Sequence, residues 1–194
     1  MKYALLVVDM NIGSFDPNSR GGILHLVKEH LISCINELVV TFRVANLPVI
    51  FITQRYRDDL TDALPLQRKR GDKTFVDSSV GWRLLPELDV SAHDFYVIKK
   101  GYDAFCGTDL DSILRRQQVT SLVIAGVNTY ACVLQTTMGA CERLYDPILW
   151  SKKGIAASLP QFEQNTIDYM VAKPGQFGLV DGLLSNEEII ALLS

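Results

Sequence analysis

The chain has 194 residues, of which 48% are hydrophobic, and its formal net charge is −3. This length and composition predict a single domain over residues 1–194 with one substantial core. The basic cluster Arg68-Lys69-Arg70 is short and lies among aspartates. We interpret it as a solvated loop and expect no nucleic-acid partner.

The first apolar run, residues 3–8, is too short to cross a membrane and ends at Asp9. It also lacks the small-residue cleavage site of a signal peptide. We therefore expect a cytoplasmic protein that does not bind a membrane. The cysteines show no paired spacing and no CxxC motif, which is typical of free thiols in that compartment. They are Cys34, Cys106, Cys132 and Cys141.

Short β-branched runs alternate with longer amphipathic stretches along the chain. The predicted strands cover residues 3–8, 49–53, 95–98, 122–125 and 147–150, with a weak last strand near 170–172. The predicted helices cover residues 23–45, 109–117, 129–144 and 160–170. This alternation predicts an α/β fold, in which a parallel sheet carries helices on both faces.

The segment 54–88 is polar and irregular, and a loop of that length inside a compact domain is usually functional. Parallel sheets bind ligands beyond the carboxyl ends of their strands, so the residues just past each strand are candidates for a site. These positions are Asp9, Gln54, Lys99 and the segment 126–132.

Three of these positions make a coherent catalytic group. Cys132 lies in the first turn of a predicted helix, where free N–H groups and the helix dipole favour a thiolate. Such a thiolate attacks a carbonyl, while the Asp9 carboxylate carries the proton and the Lys99 ammonium holds the thiolate and orients the carboxylate. Taken singly, each residue also has an ordinary interpretation, as a turn residue, a surface lysine or a small buried side chain.

No histidine belongs to this group. His25, His30 and His93 lie neither at the predicted strand ends nor near the cysteine. A Cys/His protease arrangement is therefore not indicated.

Three motifs in this order give the chain a resemblance to the isochorismatase-like cysteine hydrolases over nearly its whole length. They are residues 5–11 (LLVVDMN), 99–110 (KKGYDAFCGTDL) and 124–133 (IAGVNTYACV). The pattern of that family places its lysine six residues before the aromatic residue of the Ala-Phe pair. This spacing selects Lys99 rather than Lys100.

The resemblance implies a three-layer Rossmann-like fold with six mostly parallel strands in the order 3-2-1-4-5-6. It also implies that Asp9, Lys99 and Cys132 form a triad that acts on amides or related carbonyl compounds without a cofactor. In that order the strand of Lys99 is not adjacent to the strand of Cys132. The lysine must therefore reach inward along its long stem.

We expect the oxyanion hole to consist of backbone N–H groups, because no obvious side-chain donor lies beside the cysteine. The N–H of Cys132 is the first donor. The resemblance implies a cis peptide bond between Val127 and Asn128, which would aim the Asn128 N–H at the same point. Gly126 fits such a turn, because glycine tolerates close approach and unusual dihedral angles.

The chain departs from the family pattern at three places. Nicotinamidases of the family carry an Asp-x-His metal site after the second strand, whereas this chain reads QRYR at residues 54–57, so we expect no metal ion. Asn11 replaces the usual glutamine after the Asp-Met pair. Residues 151–153 read SKK, where an aspartate usually follows the fifth strand.

The leading hypothesis is metal-independent hydrolysis of a small amide, ureide or N-carbamoyl-type substrate through a cysteine thioester. Vinyl-ether hydrolysis of the isochorismate type, with Asp9 as the acid, stays open, although members with that activity generally lack the cysteine. A catalytically silent scaffold that binds a partner through residues 54–88 also stays open. The candidate substrate-binding residues are Phe15, Gln54, Tyr56, Phe105 and Tyr130.

The only partner that the residues indicate is a small-molecule substrate. The resemblance implies a dimer or a larger homo-oligomer, and Trp82, Trp150 and Phe162 are candidates for its interface.

Overall fold

The computed structural model describes residues 1–18, 23–171 and 177–193. Its strands are β1 (Tyr3–Val8), β2 (Val49–Gln54), β3 (Phe95–Lys99), β4 (Ser121–Val127), β5 (Ile148–Ala156) and β6 (Gly182–Leu184). Its α-helices are α1 (Leu24–Val44), α2 (Pro65–Arg70), α3 (Leu110–Arg116), α4 (Leu134–Cys141), α5 (Pro160–Met170) and α6 (Asn186–Leu193).

These strands form one parallel sheet in the order β3-β2-β1-β4-β5-β6. The α/β class and the strand order that the resemblance implied are both confirmed. The chain leaves β1 toward one side of the sheet and enters β4 on the other, and this reversal opens a crevice at their carboxyl ends. The fold thus places the residues after β1 and after β4 side by side.

Both faces of the sheet are covered by helices. Leu5 and Val7 of β1 pack with α1 and α6 on one face, while Leu6 and Val8 pack with α3, α4 and α5 on the other. Every residue of β1 is consequently buried. This explains why the strand reads as an unbroken apolar run rather than an alternating one.

The sequence prediction was wrong about the last strand. Met170 ends α5, and Val171 makes only an isolated bridge to Val180. The sixth strand lies further along, at β6, and residue 172 lies outside the described residues. Helix α6 was not predicted at all.

The segment 54–88 is docked across the strand ends by backbone hydrogen bonds. The Ile12 N–H donates to the Arg83 carbonyl and the Gly13 N–H donates to the Gly81 carbonyl, each over 2.9 Å. Nearer its start, the Tyr56 N–H donates to the Phe75 carbonyl over 2.8 Å. The segment therefore forms a wall beside the crevice, and it contains the short helix α2.

Across the described ranges, no helix combines the length and the apolar character that crossing a membrane requires.

Candidate active site

Asp9 follows the last residue of β1 at the mouth of the crevice. Its backbone has φ 50°, in the left-handed region that non-glycine residues seldom adopt. The Asp9 N–H still donates to the Ile52 carbonyl of β2 over 2.9 Å. The chain therefore leaves the sheet abruptly here, and the carboxylate is almost fully buried. Such outliers cluster at functional sites.

Lys99 is the last residue of β3 and is fully buried. Its Nζ lies 2.7 Å from Asp9 Oδ2 and 3.2 Å from Cys132 Sγ. A third hydrogen bond runs from Nζ to the Gly101 carbonyl, over 3.0 Å. Strand β2 lies between β3 and β1, and the lysine side chain is long enough to cross this distance. Lys99 therefore contacts Asp9 and Cys132 although its strand is adjacent to neither of theirs.

Cys132 lies in a π-helical turn, Thr129–Val133, that precedes α4. The Val133 N–H donates to the Asn128 carbonyl five residues earlier, over 3.2 Å, and the Ala131 N–H donates to the same oxygen over 3.0 Å. The helix predicted over residues 129–144 therefore begins with a π-helical turn, which has a larger diameter than an α-helical one. Turns of this kind occur frequently at functional sites.

Gly126 has φ 115°, and a Cβ on it would lie 2.0 Å from the Val8 carbonyl oxygen. Only glycine fits where β4 approaches β1 this closely. The Val127–Asn128 peptide bond is cis, as the resemblance implied. The Asn128 side chain is fixed in turn, because its Oδ1 accepts the Ser158 N–H over 2.6 Å.

Burial, followed by the negative charge of Asp9, raises the pKa of Cys132 to about 12, although the Lys99 ammonium acts in the opposite direction. Burial therefore favours the neutral thiol and acts against the effect of the helix start, on which the sequence prediction relied. Burial disfavours the Lys99 ammonium, but Asp9 and Cys132 together raise the lysine pKa above its ordinary value.

A cavity of about 290 Å³ lies over this group. Asp9 and Cys132 line it, and so do Val127 and Asn128 from the turn after β4. Lys99 lies behind the lining, where it contacts both reactive side chains. The structure therefore brings together all four residues predicted for the triad and the oxyanion hole.

Of the predicted substrate-binding residues, Gln54 and Tyr130 line the cavity. The Gln54 Nε2 lies 3.4 Å from the Gly101 carbonyl, and the Tyr130 hydroxyl lies 2.7 Å from Ser158 Oγ. Both side chains are held in place while leaving polar surface toward the cavity.

The structure places Phe15, Tyr56 and Phe105 elsewhere. Phe15 packs in the core beneath α1, and Phe105 stacks on Tyr145 in the core of the other face, with ring centroids 5.8 Å apart. Tyr56 is buried with Val76 in a small cluster under the 54–88 segment. The two phenylalanine rings gain more from apolar packing than from the cavity wall. Tyr56 lies outside the cavity lining, but its buried hydroxyl has no hydrogen-bond partner within the described ranges and feels the charges of Lys99, Cys132 and Asp9.

Sequence reasoning missed several residues of the wall: Asn11, Gln67, Arg70, Thr74, Tyr102 and Ser158. Asn11 was noted as a departure from the family pattern but not assigned to the pocket. Gln67 and Arg70 lie on α2, for which no helical period stood out in the sequence. The signal for Ser158 was available, because it lies just beyond β5.

The departure at residues 151–153 does not touch the site. Strand β5 continues to Ala156, and its register against β4 shifts between the pairs Ile124–Trp150 and Gly126–Ile155. Residues 151–153 therefore belong to a bulge within the strand. Trp150, an interface candidate, is fully buried instead, and its Nε1 donates to Thr137 Oγ1 over 2.8 Å.

The residues after β2, where nicotinamidases of the family carry a metal site, make other interactions in this protein. Gln54 belongs to the cavity wall, whereas Arg55 pairs with Asp77 at 2.5 Å and lies over the Trp82 ring, 4.4 Å from its centroid. Within the described ranges, no group of three or more His, Cys, Asp or Glu side chains is arranged to hold a metal ion.

Several known proteins are similar in sequence to this chain over most of its length. The chain is 27% identical over 190 residues to an uncharacterized isochorismatase family protein, YecD, of Escherichia coli O157:H7, covering 94% of each chain. It is 28% identical over 190 residues to the ureidoacrylate amidohydrolase RutB of Serratia proteamaculans, covering 87% of this chain and 75% of that one.

Among solved structures, the fold is similar to that of N-carbamoylsarcosine amidase from Thermoplasma acidophilum. The TM-score is 0.71 at 29% sequence identity, and the match covers 87% of this chain and 92% of that one. The family model for the isochorismatase domain matches residues 3–179. The chain therefore belongs to the isochorismatase family of hydrolases.

Proposed function

We propose that this protein hydrolyses a small amide, ureide or N-carbamoyl compound through a thioester on Cys132, without a metal ion. The observation that carries the proposal is the contact of Lys99 Nζ with both Asp9 and Cys132 beside the cavity. The similarity to a ureidoacrylate amidohydrolase and to an N-carbamoylsarcosine amidase supports this class of substrate.

The Cys132 thiol must lose its proton as it attacks, because burial raises its pKa and favours the neutral form in the resting site. Asp9 Oδ2 is held by Lys99, whereas Asp9 Oδ1 has no hydrogen-bond partner in the described part of the protein. A side-chain hydrogen bond links Cys132 to the Asp9 carboxylate, so in the proposal Asp9 takes the thiol proton. The sulfur then forms a bond to the substrate carbonyl carbon.

The tetrahedral intermediate collapses when its C–N bond breaks. Asp9 returns the proton to the leaving nitrogen, which departs as ammonia or an amine and leaves a thioester on Cys132. A water molecule then attacks the thioester, and its proton passes through Asp9 to the departing sulfur. The net reaction consumes one amide and one water and yields a carboxylic or carbamic acid and an amine.

The developing oxyanion needs donors that are fixed before the reaction begins. In the proposal these are the backbone N–H groups of Asn128 and Cys132. Both residues line the cavity, and the Asn128 side chain is anchored by Ser158. Lys99 stays charged throughout and stabilises the sulfur when it carries negative charge.

The burial of this ion pair favours an enzyme over a silent scaffold. Lys99 and Asp9 give up their hydration, and buried ion pairs seldom stabilise a fold more than apolar side chains would. Charges kept in such a place beside a cysteine are typical of a catalytic group.

The test is a panel of small amides, ureides and N-carbamoyl acids with ammonia detection, followed by mass spectrometry of the acid-quenched enzyme. We expect ammonia release together with an acyl adduct on Cys132. Ammonia release that survives alkylation of Cys132, or pyruvate release from isochorismate with no turnover of the panel, would contradict the proposal. Four equally unreactive thiols that no panel compound protects would instead favour the scaffold.

A further inference from the structure

Two carboxamide side chains in the cavity wall are not satisfied. Asn11 is fully buried, and neither its Nδ2 nor its Oδ1 has a hydrogen-bond partner in the described part of the protein. Gln67, on α2, also has a buried side-chain oxygen, Oε1, without a hydrogen-bond partner in the described part of the protein. Both residues line the cavity beside the triad.

Within the described ranges the other buried side-chain polar atoms without a partner are Asp9 Oδ1, the Tyr56 hydroxyl and Thr129 Oγ1. Many other buried polar groups do find partners. Thr136 Oγ1 accepts the Ala104 N–H over 3.1 Å, and Ser121 Oγ donates to the Asp146 carbonyl over 2.9 Å. An unpaired buried amide costs folding free energy, so native proteins keep few of them. Asn11 and Gln67 are therefore placed to be satisfied by a ligand.

The unpaired atoms define what that ligand must offer. Two carboxamide oxygens require N–H donors, and the Asn11 amino group requires an acceptor. The carbonyl that Cys132 attacks is not that acceptor, because its oxygen turns toward the oxyanion hole. The ligand therefore carries N–H groups and a second acceptor besides the carbonyl that Cys132 attacks.

Arg70 adds a positive charge to the same wall. It lines the cavity from the last turn of α2, and no ion pair within the described ranges involves it. Asp72 also lines the cavity and keeps its negative charge, and its Oδ1 accepts from the Thr74 N–H and hydroxyl. Among the described residues of the lining Arg70 is the one cation, so a ligand carboxylate is the acceptor that would pair with it.

We infer that Asn11 and Gln67, together with Arg70, form a recognition site that selects N-carbamoyl carboxylic acids. The ureido N–H groups donate to Asn11 Oδ1 and Gln67 Oε1, and the carboxylate accepts from Asn11 Nδ2 and Arg70. This inference rests on the proposed function only in placing the ureido carbonyl at Cys132.

Three matched probes test this recognition. N-carbamoylglycine carries both features, succinamate replaces its inner N–H by a methylene, and ethylurea replaces its carboxylate by a methyl group. The kcat/KM of each is measured by ammonia release for the native protein and for Asn11→Leu, Gln67→Met and Arg70→Gln. Gln164→Met, at an exposed position on α5, is the matched control.

We expect Asn11→Leu and Gln67→Met to lower kcat/KM for N-carbamoylglycine by about 10- to 100-fold, and to lower it much less for succinamate. Arg70→Gln should do the same relative to ethylurea. The melting temperature of Asn11→Leu should equal or exceed that of the native protein, because an unpaired amide is replaced by an apolar group. Parallel losses for all probes, or a lower melting temperature, would overturn the inference.

A binding measurement separates this inference from the proposed function. Calorimetry of the probes with Cys132→Ala, with and without Asn11→Leu, reports recognition without chemistry. Selective binding of N-carbamoylglycine by a native protein that hydrolyses none of the probes would overturn the proposed function alone. Hydrolysis of N-carbamoylglycine and succinamate with ratios that Asn11→Leu and Gln67→Met leave unchanged would overturn the recognition site alone.

Discussion

The floor of the cavity consists of Asp9, Lys99, Cys132 and Asn128, and the part of its wall considered next consists of Asn11, Gln67 and Arg70. The two differ in how their polar groups are satisfied. On the floor, Lys99 Nζ has three partners, namely Asp9, Cys132 and the Gly101 carbonyl. On the wall, Asn11 and Gln67 keep buried polar atoms without partners in the described part of the protein. The ion pair of the floor is therefore formed before any substrate arrives, although Asp9 Oδ1 is left unpaired there. In our inference the two carboxamides of the wall are completed only by the substrate.

Gln67 and Arg70 of the wall come from a different part of the fold than the floor, whereas Asn11 lies two residues after Asp9. The floor residues lie at the ends of strands and at the turn after β4, which a rigid sheet holds in register. Gln67 and Arg70 lie on α2, in a segment attached mainly by backbone hydrogen bonds and surface ion pairs. Changes to the floor should therefore abolish turnover, and changes to the wall should alter which substrate is accepted.

The largest effect is expected from Cys132→Ala. Loss of the nucleophile should reduce kcat by about 10⁴-fold or more, since the remaining groups give only residual catalysis. The fold should survive, because alanine is close to cysteine in size. Cys106→Ala, which changes an exposed thiol, is the control. Substantial amide hydrolysis by purified Cys132→Ala would rule out the thioester.

Neighbouring lysines allow a matched test of the floor. Lys99→Met should abolish turnover and slow the labelling of Cys132 by iodoacetamide at a given pH, because the ammonium lowers the thiol pKa. In the native protein, labelling should rise with pH toward the thiol pKa of about 12. Removing one partner of this buried pair should also cost about 3–5 kcal/mol of unfolding free energy, so labelling is measured well below the melting temperature.

Lys100→Met is the control for that experiment. Lys100 Nζ pairs with Asp62 over 2.7 Å at a partly exposed position, where such pairs contribute little. We expect it to change kcat less than threefold, or roughly 0.6 kcal/mol, and to leave the labelling profile in place. If the two lysine variants behave alike, Lys99 does not have the role assigned to it.

Asp9→Asn should separate thiol ionisation from catalysis. The negative charge of Asp9 raises the Cys132 pKa, so its removal should lower that pKa and speed labelling by iodoacetamide. Turnover should nevertheless fall by about 10²- to 10⁴-fold, the usual contribution of a general acid–base group. Turnover that stays at the native level would show that Asp9 does not carry the proton, and slower labelling would show that its charge does not control the thiol pKa.

The sequence located the floor well because strand ends are strong signals. An apolar run that stops at Asp9, a short strand that stops at Lys99 and a strand-to-helix turn before Cys132 each mark the carboxyl edge of the sheet. The side-chain distances could not be predicted in the same way. They depend on the lysine stem crossing beneath β2, which is a tertiary arrangement.

The wall and the C-terminal part were harder to predict. Strand β6 has three half-buried residues, too few for a period to stand out. Helix α6 did carry a signal, since Ser185 and Glu188 form a capping box in which each side chain bonds the backbone N–H of the other. Gln67 had no such signal, because its position on the wall depends on how the 54–88 segment docks.

The smallest effect is expected from chelation. After β2 the chain places Gln54 in the wall and commits Arg55 to Asp77, so the proposal assigns no catalytic step to a metal ion. Prolonged dialysis against EDTA should therefore leave kcat/KM for the best substrate unchanged within error. A matched sample returned to zinc or iron should behave the same. Activity that is lost on chelation and restored by either metal would show that a ligand set exists and that a metal ion takes part in turnover, against the proposal.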